Sequence, residues 1–344
     1  MQITINNKLC RSLKEIRLHS SKETAEFIEE FLSDSHYIKA HTSGSTGTPK
    51  EIHLSKKNIK ASAKLTNSFF NLNQDSTFYL NLSPSYIAGK MMIARALELE
   101  AKIIEEKPSN QPLANYNQNE RISLGAFVPS QIKYLLNNPE KLAMFDNIII
   151  GGGILPQKIE KRLAEQGIRA FRTYGMTETC SHVALAPVGT TPQPYTALGN
   201  ITFSTDSRNC LIIHAPHFTQ QEIQTNDVVD LLSPTQFHWC GRIDNVINTG
   251  GIKVFPEKIE PLIGEIIPHA RFFITSVASD TWGEEVTLVL EYSSIPDGEI
   301  RKGDIQPALI EKMKQRLPSH AVPRRYIAVK KFKETTSGKI IRKI

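Results

Sequence analysis

Cysteine is scarce in this chain, and its spacing excludes the usual structural roles of the residue. The four cysteines, Cys10, Cys180, Cys210 and Cys240, lie far apart, with no CxxC pair and no histidine at ligand spacing. A structural zinc site and a disulfide framework are therefore not expected. The cysteines are predicted to be ordinary reduced thiols.

Long apolar runs and dense basic runs are also absent. No stretch reaches the roughly 18 apolar residues that a membrane span needs, and the first 20 residues have no apolar core typical of a signal peptide. The 41 Lys and Arg against 35 Asp and Glu give a net charge of only +6, without a basic cluster. We therefore expect a cytoplasmic protein that binds neither membranes nor nucleic acid, and sequence leaves its oligomeric state open, a homodimer included.

No internal repeat is visible, and the 344 residues suggest two domains at about 150 residues each. Between residues 20 and 175, short apolar strands alternate with helical patterns, which favours an α/β fold with a mostly parallel sheet covered on both faces. A capping box of Ser20 and Glu23 is predicted to begin the first of these helices. The predicted strands are residues 78–82, 101–106, 124–129, 147–150 and 169–175, and the predicted helices follow Ser55 or cover residues 87–100, 130–138 and 156–166.

The pattern changes in the second half of the chain. Four short strand candidates between residues 199 and 248 predict an antiparallel lobe that completes the first domain. After Gly241, the order helix, two strands, helix and strand predicts a compact α+β unit of about 100 residues. We therefore expect a large domain over residues 1–241 and a small domain over residues 242–344.

The most informative segment is a loop of hydroxyl groups and glycines that ends in a lysine. Such a loop suits phosphate, because glycines let the backbone approach an anion, hydroxyls donate hydrogen bonds and the lysine supplies charge. It matches neither GxxxxGK[ST] nor GxGxxG, and the alternative is a flexible surface loop. The loop residues are Thr42, Ser43, Gly44, Ser45, Thr46, Gly47, Thr48, Pro49 and Lys50.

This loop, TSGSTGTPK, resembles the signature loop of the adenylate-forming superfamily, which includes acyl-CoA synthetases, adenylation domains of peptide synthetases and firefly luciferase. Three further segments agree in the same order along the chain. Residues 174–179 resemble its YGxTE motif, residues 241–260 its GRxDxxI hinge segment, and residues 337–342 its terminal SGKxxR motif. The resemblance covers nearly the whole chain.

The resemblance implies that a carboxylate attacks the α-phosphate of ATP, that pyrophosphate leaves, and that a thiol, usually that of CoA, then takes the acyl group. ATP, Mg²⁺ and coenzyme A are the implied cofactors. Thr177 would contact the α-phosphate, Glu178 would hold Mg²⁺ and Lys339 would be the catalytic lysine. The other implied roles are a nucleotide site (Thr42, Ser43, Gly44, Ser45, Thr46, Gly47, Lys50, Gly151, Gly152, Gly153, Tyr174, Gly175, Asp227, Arg242), a CoA channel (Gly250, Gly251) and a hinge at Asp244 about which the small domain rotates. Within the nucleotide site, the three glycines 151–153 would leave room for the adenine and the Tyr174 ring would stack on it.

Residues 83–95 give information about which acid is the substrate. In many acyl-CoA synthetases a PLFHxxG motif lies here, and this chain has Tyr86 in place of the histidine before Gly89. Arg95 follows within an apolar run, where it is either a surface charge or a buried carboxylate reader. The chain resembles the o-succinylbenzoate-CoA ligases of menaquinone synthesis, in which an arginine at this spacing faces the aromatic carboxylate. This resemblance implies that Tyr86, Gly89 and Arg95 line the acid site.

Other functions remain open at this point. The chain has only 41 residues before the phosphate loop, fewer than is usual in the family, so we expect a reduced N-terminal subdomain and a simpler acyl pocket. Alternatives are another aryl- or acyl-CoA ligase acting on a small carboxylic acid, a stand-alone adenylation domain that loads a carrier protein, and a nucleotide-binding module without activity. Retention of Lys50, Glu178 and Lys339 argues against the last.

Overall fold

The computed structural model describes residues 2–41, 51–291, 300–301, 304–305, 307–334 and 340–342. Within these ranges, no helix combines the length and the apolar character needed to cross a bilayer. The predicted phosphate-loop residues, Thr42 to Lys50, and the predicted catalytic Lys339 lie outside the described residues, so their assignments stay predictions.

The first half of the chain alternates strands and helices. Its elements are β1 (Ile3–Ile5), β2 (Lys8–Cys10), α1 (Leu13–His19), α2 (Lys22–Leu32), β3 (Tyr37–His41), β4 (Glu51–Ser55), α3 (Lys56–Phe69), β5 (Thr77–Leu80), α4 (Ile87–Leu97), β6 (Lys102–Glu105), β7 (Leu124–Phe127), α5 (Pro129–Leu136), α6 (Pro139–Leu142), β8 (Asn147–Ile150), α7 (Gln157–Glu165) and β9 (Arg169–Gly175).

The second half is richer in strands. Its elements are β10 (His182–Pro187), β11 (Tyr195–Ala197), β12 (Thr202–Thr205), β13 (Cys210–His214), β14 (Glu222–Ser233), β15 (Gln236–Arg242), β16 (Ile247–Thr249), β17 (Ile252–Val254), α8 (Pro256–Ile266), β18 (Arg271–Ser279), β19 (Gly283–Glu291), β20 (Ile300–Arg301), β21 (Asp304–Ile305), α9 (Pro307–Arg316) and β22 (Arg325–Val329).

A large sheet organises residues 3–242. Its strand order is β12-β13-β14-β15-β11-β10-β9-β8-β7-β5-β6-β1-β2, and the strands from β9 to β1 pair in parallel. The predicted α/β fold is therefore confirmed. The predicted antiparallel lobe is present as β12 to β15, and it continues the same sheet through β11 and β10 rather than forming a separate one.

Alternating side chains explain why both faces of the parallel strands are covered. Phe78 and Leu80 of β5 pack with residues of α2, α3 and α4, whereas Tyr79 between them packs with residues of α5 and α7 on the opposite face. Ile149 and its neighbours Ile148 and Ile150 divide in the same way. Since successive residues of a strand point to opposite faces, each strand contributes to two cores.

One helix begins differently from the prediction. Ser20 ends α1, where its backbone N–H donates to the carbonyl of Ile16, and Ser21 caps α2 by accepting from the backbone N–H of Thr24. The predicted capping box of Ser20 and Glu23 is therefore wrong. A capping box does occur one helix earlier, between Ser12 and Glu15. The sequence did not predict α1, and this additional helix uses Ser20 as its end.

A second sheet forms the small α+β unit. β18 pairs with β19 along nine residues, β22 adds in parallel to β19, and β16 and β17 form a hairpin at the edge. Its core is aliphatic and lies between this sheet and helices α8 and α9. The large sheet ends at Arg242 and the second sheet begins at Ile247, and a short 3-10 turn over Ile243–Asn245 joins them. The predicted domain boundary between residues 241 and 242 lies just before this turn and stays a prediction.

Candidate active site

The carboxyl ends of the central parallel strands meet at one edge of the large sheet. Gly151, Gly152 and Gly153 directly follow β8, and the segment from Met176 to Ser181 follows the neighbouring strand β9. Ligands of open α/β sheets bind outside this edge. The predicted adenine-framing glycines and the predicted Thr177 and Glu178 are therefore adjacent at the position where a nucleotide is expected.

The connection between β9 and β10 is tightly folded. The Thr179 hydroxyl accepts from the backbone N–H of Met176 at 2.9 Å and contacts the Ser181 carbonyl oxygen at 2.6 Å. Gly175 leaves no room for a side chain, because an added Cβ would lie 2.2 Å from the Ser181 carbonyl oxygen. This compact turn fixes the backbone on both sides of Thr177 and Glu178.

Glu178 is exposed, and no described residue donates a hydrogen bond or forms an ion pair with its carboxylate. Mg²⁺ that accompanies ATP is usually held by one or two carboxylates together with phosphate oxygens and water. No cluster of three or more His, Cys, Asp or Glu that could hold a metal on its own occurs among the described residues. The free Glu178 carboxylate therefore fits an ion that arrives with the nucleotide.

Asp227 lies on β14 opposite Arg242 of β15 and is buried. Its carboxylate accepts a hydrogen bond from the Tyr174 hydroxyl at 2.8 Å and another from the Trp239 indole N–H at 3.1 Å. Both donors are neutral, and the two carboxylate oxygens have further acceptor capacity. Trp239 is a contact that the sequence analysis did not single out.

Tyr174 has a double role in the structure. Its ring packs against Tyr195 and Phe237, with ring centroids 5.8 and 5.0 Å apart, so it belongs to the core of the antiparallel lobe. Burial, followed by the nearby charge of Asp227, raises the pKa of its hydroxyl well above the usual range. The side chain therefore stays a neutral donor to Asp227. Stacking of Tyr174 on adenine stays a prediction.

The predicted hinge residue lies in the turn between the two sheets. Asp244 accepts from Arg242 at 2.6 Å, and the Asn226 amide nitrogen lies 3.3 Å from the same carboxylate. The glycines of the predicted CoA channel form the two-residue turn of the β16–β17 hairpin, with φ of +59° at Gly250 and +80° at Gly251. Positive φ at both positions is typical of a type I′ turn, which side chains with a Cβ disfavour.

Helix α4 carries the predicted acid site. Tyr86 precedes its first turn and is 48% exposed, whereas Gly89 lies against residues 82–83 so closely that an added Cβ would be 2.4 Å from the Ser83 carbonyl oxygen. Arg95 is only 2% exposed. The alternative of a surface charge at Arg95 is therefore wrong, and the helix directs a guanidinium group into the protein interior.

The partners of Arg95 come from another part of the chain. Its Nη2 donates to the Ser181 hydroxyl at 2.7 Å and lies 3.5 Å from His182 Nδ1, and its Nη1 donates to the Met92 sulfur. Burial lowers the pKa of Arg95 to about 9, which still leaves the group charged at neutral pH. Because Ser181 follows Glu178 by three residues, one short segment connects the predicted acid site to the predicted nucleotide site. Ser181 and His182, which follow the YGMTET motif after Cys180, were not predicted as partners of Arg95.

Comparison with known proteins identifies the family of this chain. The family model of AMP-binding enzymes matches residues 11–210, which is more than half of the chain. The chain belongs to the AMP-binding enzyme family. The predicted superfamily and the prediction of an enzyme are therefore confirmed.

Curated and solved relatives of this AMP-binding enzyme have names within the same family. A 2-succinylbenzoate–CoA ligase of Enterococcus faecalis is 25% identical over 333 residues, which cover 87% of this chain and 67% of the relative. An acyl-CoA synthetase (AMP-forming)/AMP-acid ligase II-like protein of Dyadobacter fermentans has a TM-score of 0.60 and 29% identity, covering 93% of this chain and 91% of that chain.

The fold is also shared with an o-succinylbenzoate CoA synthetase of Bacillus subtilis solved with an acyl-adenylate intermediate. The TM-score is 0.74 at 18% identity, and the match covers 88% of this chain and 67% of that chain. The present AMP-binding enzyme thus spans about two thirds of the length of that structure and of the curated relative from Enterococcus faecalis.

Proposed function

We propose that the protein is an AMP-forming acid–CoA ligase, that it activates a carboxylate as its adenylate and that it then transfers the acyl group to CoA. We further propose o-succinylbenzoate as the acid. The family, the free Glu178 carboxylate and the relatives named 2-succinylbenzoate–CoA ligase support the reaction class. The observation that carries the substrate is Arg95, a buried positive charge that has only neutral partners among the described residues.

The energetics of burial explain why Arg95 points to an acidic substrate. A charge removed from water without a counter-charge is costly, and proteins usually pair such a group. o-Succinylbenzoate carries two carboxylates, one on the aromatic ring and one at the end of the succinyl chain. We propose that Arg95 binds the ring carboxylate, since the arginine fork suits bidentate binding of a carboxylate, and that the succinyl carboxylate is activated.

The proposal also assigns roles to the remaining predicted site residues. Asp227, held by two neutral donors, would accept from the ribose hydroxyls, with Arg242 as the second ribose contact. Mg²⁺ would neutralise phosphate charge beside Glu178, and Thr177 would contact the α-phosphate. Lys339 would bridge the acid carboxylate and the α-phosphate, and rotation of the small domain about Asp244 would then bring Gly250 and Gly251 to the pantetheine arm of CoA.

The four cysteines are buried free thiols, as the reducing cytoplasm permits, and we include a cytoplasmic location in the proposal.

Product analysis tests the proposed function. Purified protein is incubated with ATP, Mg²⁺, CoA and one of four acids, namely o-succinylbenzoate, benzoate, a fatty acid or an amino acid. We expect AMP, pyrophosphate and a CoA thioester with o-succinylbenzoate and much less with the other acids. Preferred use of benzoate or a fatty acid would favour a different acyl-CoA ligase. Formation of ADP would contradict adenylate chemistry, and loading of a carrier protein in place of CoA would favour the adenylation-domain alternative.

A further inference from the structure

Four side chains form a connected set of hydrogen bonds around the Arg95 guanidinium, which we call the arginine cradle (Thr66, Arg95, Ser181 and His182). Thr66 lies on α3, Arg95 on α4, Ser181 precedes β10 and His182 begins it. Thr66, Arg95 and His182 are buried, and Ser181 is half-buried. The Asn67 amide nitrogen donates to the backbone carbonyl of Arg95 at 3.0 Å, which fixes the backbone from which the guanidinium extends.

The hydrogen bonds of the cradle favour one proton position on His182. The Thr66 hydroxyl lies 3.0 Å from His182 Nε2 and 3.3 Å from the Ser62 carbonyl oxygen, so it can accept from a protonated Nε2 while it donates its single proton to that carbonyl. At the other end, Arg95 can only donate, and the Ser181 hydroxyl that accepts from it has its own proton available for His182 Nδ1 at 3.3 Å. Both ends of the cradle thus favour a neutral imidazole whose Nδ1 is an acceptor.

The local electrostatics favour the same state. Burial, followed by the charge of Arg95, lowers the pKa of His182 well below its ordinary value. A protonated ring would place a second N–H donor against the Arg95 donors. His182 is therefore a neutral acceptor in a position where a carboxylate would form an ion pair.

The residues of the cradle do not neutralise the charge of Arg95. Among the residues that the structure describes, no Asp or Glu forms an ion pair with Arg95, and its buried Nε has no acceptor. Its partners within the protein are a hydroxyl, an imidazole and a thioether. This arrangement holds the guanidinium in one orientation without neutralising it.

We propose that His182 is a positioning residue that fixes Arg95 through a neutral acceptor, so that the full positive charge remains available to the second carboxylate of a dicarboxylic acid substrate. The inference rests on the proposed function, because it assigns to one residue the selection between a dicarboxylic acid and its monocarboxylic analogue. A negatively charged residue at position 182 would supply a counter-charge inside the protein. The substrate carboxylate would then be repelled instead of attracted.

Two nearly isosteric substitutions of His182 test whether its neutrality matters for substrate selection. His182→Asn keeps a neutral acceptor near the position of Nδ1, and His182→Asp places a carboxylate there. For each protein, kcat and KM are measured with o-succinylbenzoate and with 3-benzoylpropionate, which lacks the ring carboxylate. Pyrophosphate release with 3-benzoylpropionate also reports whether each variant is folded.

We expect the ratio of the two kcat/KM values to fall by about tenfold to a hundredfold in His182→Asp, mainly through the KM for o-succinylbenzoate, since compensating a buried charge removes its attraction for the ligand. In His182→Asn the ratio should stay within about threefold of the wild type, because the charge of Arg95 is still uncompensated. Equal loss in both variants, or an unchanged ratio in His182→Asp, would overturn the inference. A wild type that uses both acids equally would instead refute the proposed substrate, and the inference with it.

A second measurement does not depend on the Asp variant folding or on activity. The ¹⁵N shifts of the His182 imidazole in labelled wild-type protein report its protonation and tautomer. We expect a neutral ring with the proton on Nε2 at neutral pH, and Thr66→Val should keep that tautomer, because Arg95 and Ser181 still face Nδ1 as donors. A charged ring, or a proton on Nδ1 in the wild type, would overturn the assignment.

Discussion

Two arginines in this molecule have opposite environments. Arg342, in the small unit, forms a fork with Glu260 through bonds of 2.6 and 2.7 Å, and Glu260 also accepts from the backbone N–H of Ile274 at 2.8 Å. Burial raises the pKa of Glu260, and the charge of Arg342 acts against that rise. Arg95, in the large unit, is more deeply buried and has only neutral partners among the residues that the structure describes.

The difference separates a structural charge from a binding charge. The Arg342–Glu260 pair is complete within the protein and joins the chain after β22 to helix α8 and strand β18. The geometry of Arg95 is fixed by the protein, and in the proposed function its charge is available to a ligand. A buried charge that is well oriented but uncompensated is thus an indicator of a binding site.

The largest effect is expected for Arg95→Ala. Removing one partner of a buried charge pair costs about 2 to 5 kcal/mol, so kcat/KM for o-succinylbenzoate should fall by tens-fold to thousands-fold. The KM for ATP should change little, because the nucleotide contacts lie on other residues. Steady-state kinetics with each substrate varied in turn provides the measurement. Nearly normal kinetics would mean that Arg95 has a structural role like that of Arg342.

Breaking the Arg342–Glu260 ion pair should lower stability and leave substrate specificity unchanged. Glu260→Gln removes the counter-charge of a half-buried arginine and should lower the free energy of unfolding by about 2 kcal/mol, less than for a fully buried pair. Urea unfolding measures this loss. The matched control is Glu265→Gln, which breaks the exposed pair with Arg316 and should cost less than about 0.5 kcal/mol. The comparison would fail if Glu260→Gln altered the preference for o-succinylbenzoate over 3-benzoylpropionate.

Asp227 accepts its hydrogen bonds from neutral donors, Tyr174 and Trp239, but unlike Arg95 it has an opposite charge nearby, on Arg242. Asp227→Asn should raise the KM for ATP by about tenfold, since hydrogen bonds to a charged acceptor contribute about 1.5 to 3 kcal/mol and the amide retains part of them. The KM for the acid should stay near its wild-type value. A change confined to the acid would contradict the assignment of Asp227 to the nucleotide side.

The smallest effect is expected at a buried thiol outside the site. Cys210 is fully buried beside Val228 and Cys240. Cys210→Ala should lower the free energy of unfolding by about 1 kcal/mol through the lost packing, and kcat and both KM values should be nearly unchanged. A large loss of activity in a folded variant would show that the thiol has a function that the sequence and structure do not indicate.

The sequence predicts the helices and strands correctly where the periodicity of hydrophobic residues agrees with the residues that typically begin and end these elements. The five strands of the central sheet and helices α3, α4, α5 and α7 occur within a few residues of their predicted positions. The continuity of the antiparallel strands with the parallel sheet was not predictable, because it depends on the pairing of β10 with β9 and of β11 with β15. The pairing of β11 with β15 joins segments that are distant in sequence and leaves no local pattern.

Contacts between segments that are distant in sequence also limited what could be predicted about the candidate site. Motifs identified Asp227, Glu178 and Arg95 as candidates, but the apolar run left both a surface charge and a buried carboxylate reader open for Arg95. Its burial results from the packing of α4 against α3 and the sheet. Ser181 and His182 come from the segment at the start of β10, Thr66 comes from α3, and no spacing in the sequence connects these two segments with Arg95.

The central claim is that the uncompensated charge of Arg95 selects an acid with a second carboxylate, and a competition assay measures this directly. Equal concentrations of o-succinylbenzoate and 3-benzoylpropionate are supplied together with ATP, Mg²⁺ and CoA, and the two CoA thioesters are quantified by mass spectrometry at low conversion. The account predicts at least a tenfold excess of the o-succinylbenzoyl thioester for the wild type, corresponding to about 1.4 kcal/mol or more of selectivity, and loss of that excess in Arg95→Ala. Equal amounts of the two thioesters from the wild-type protein would contradict it.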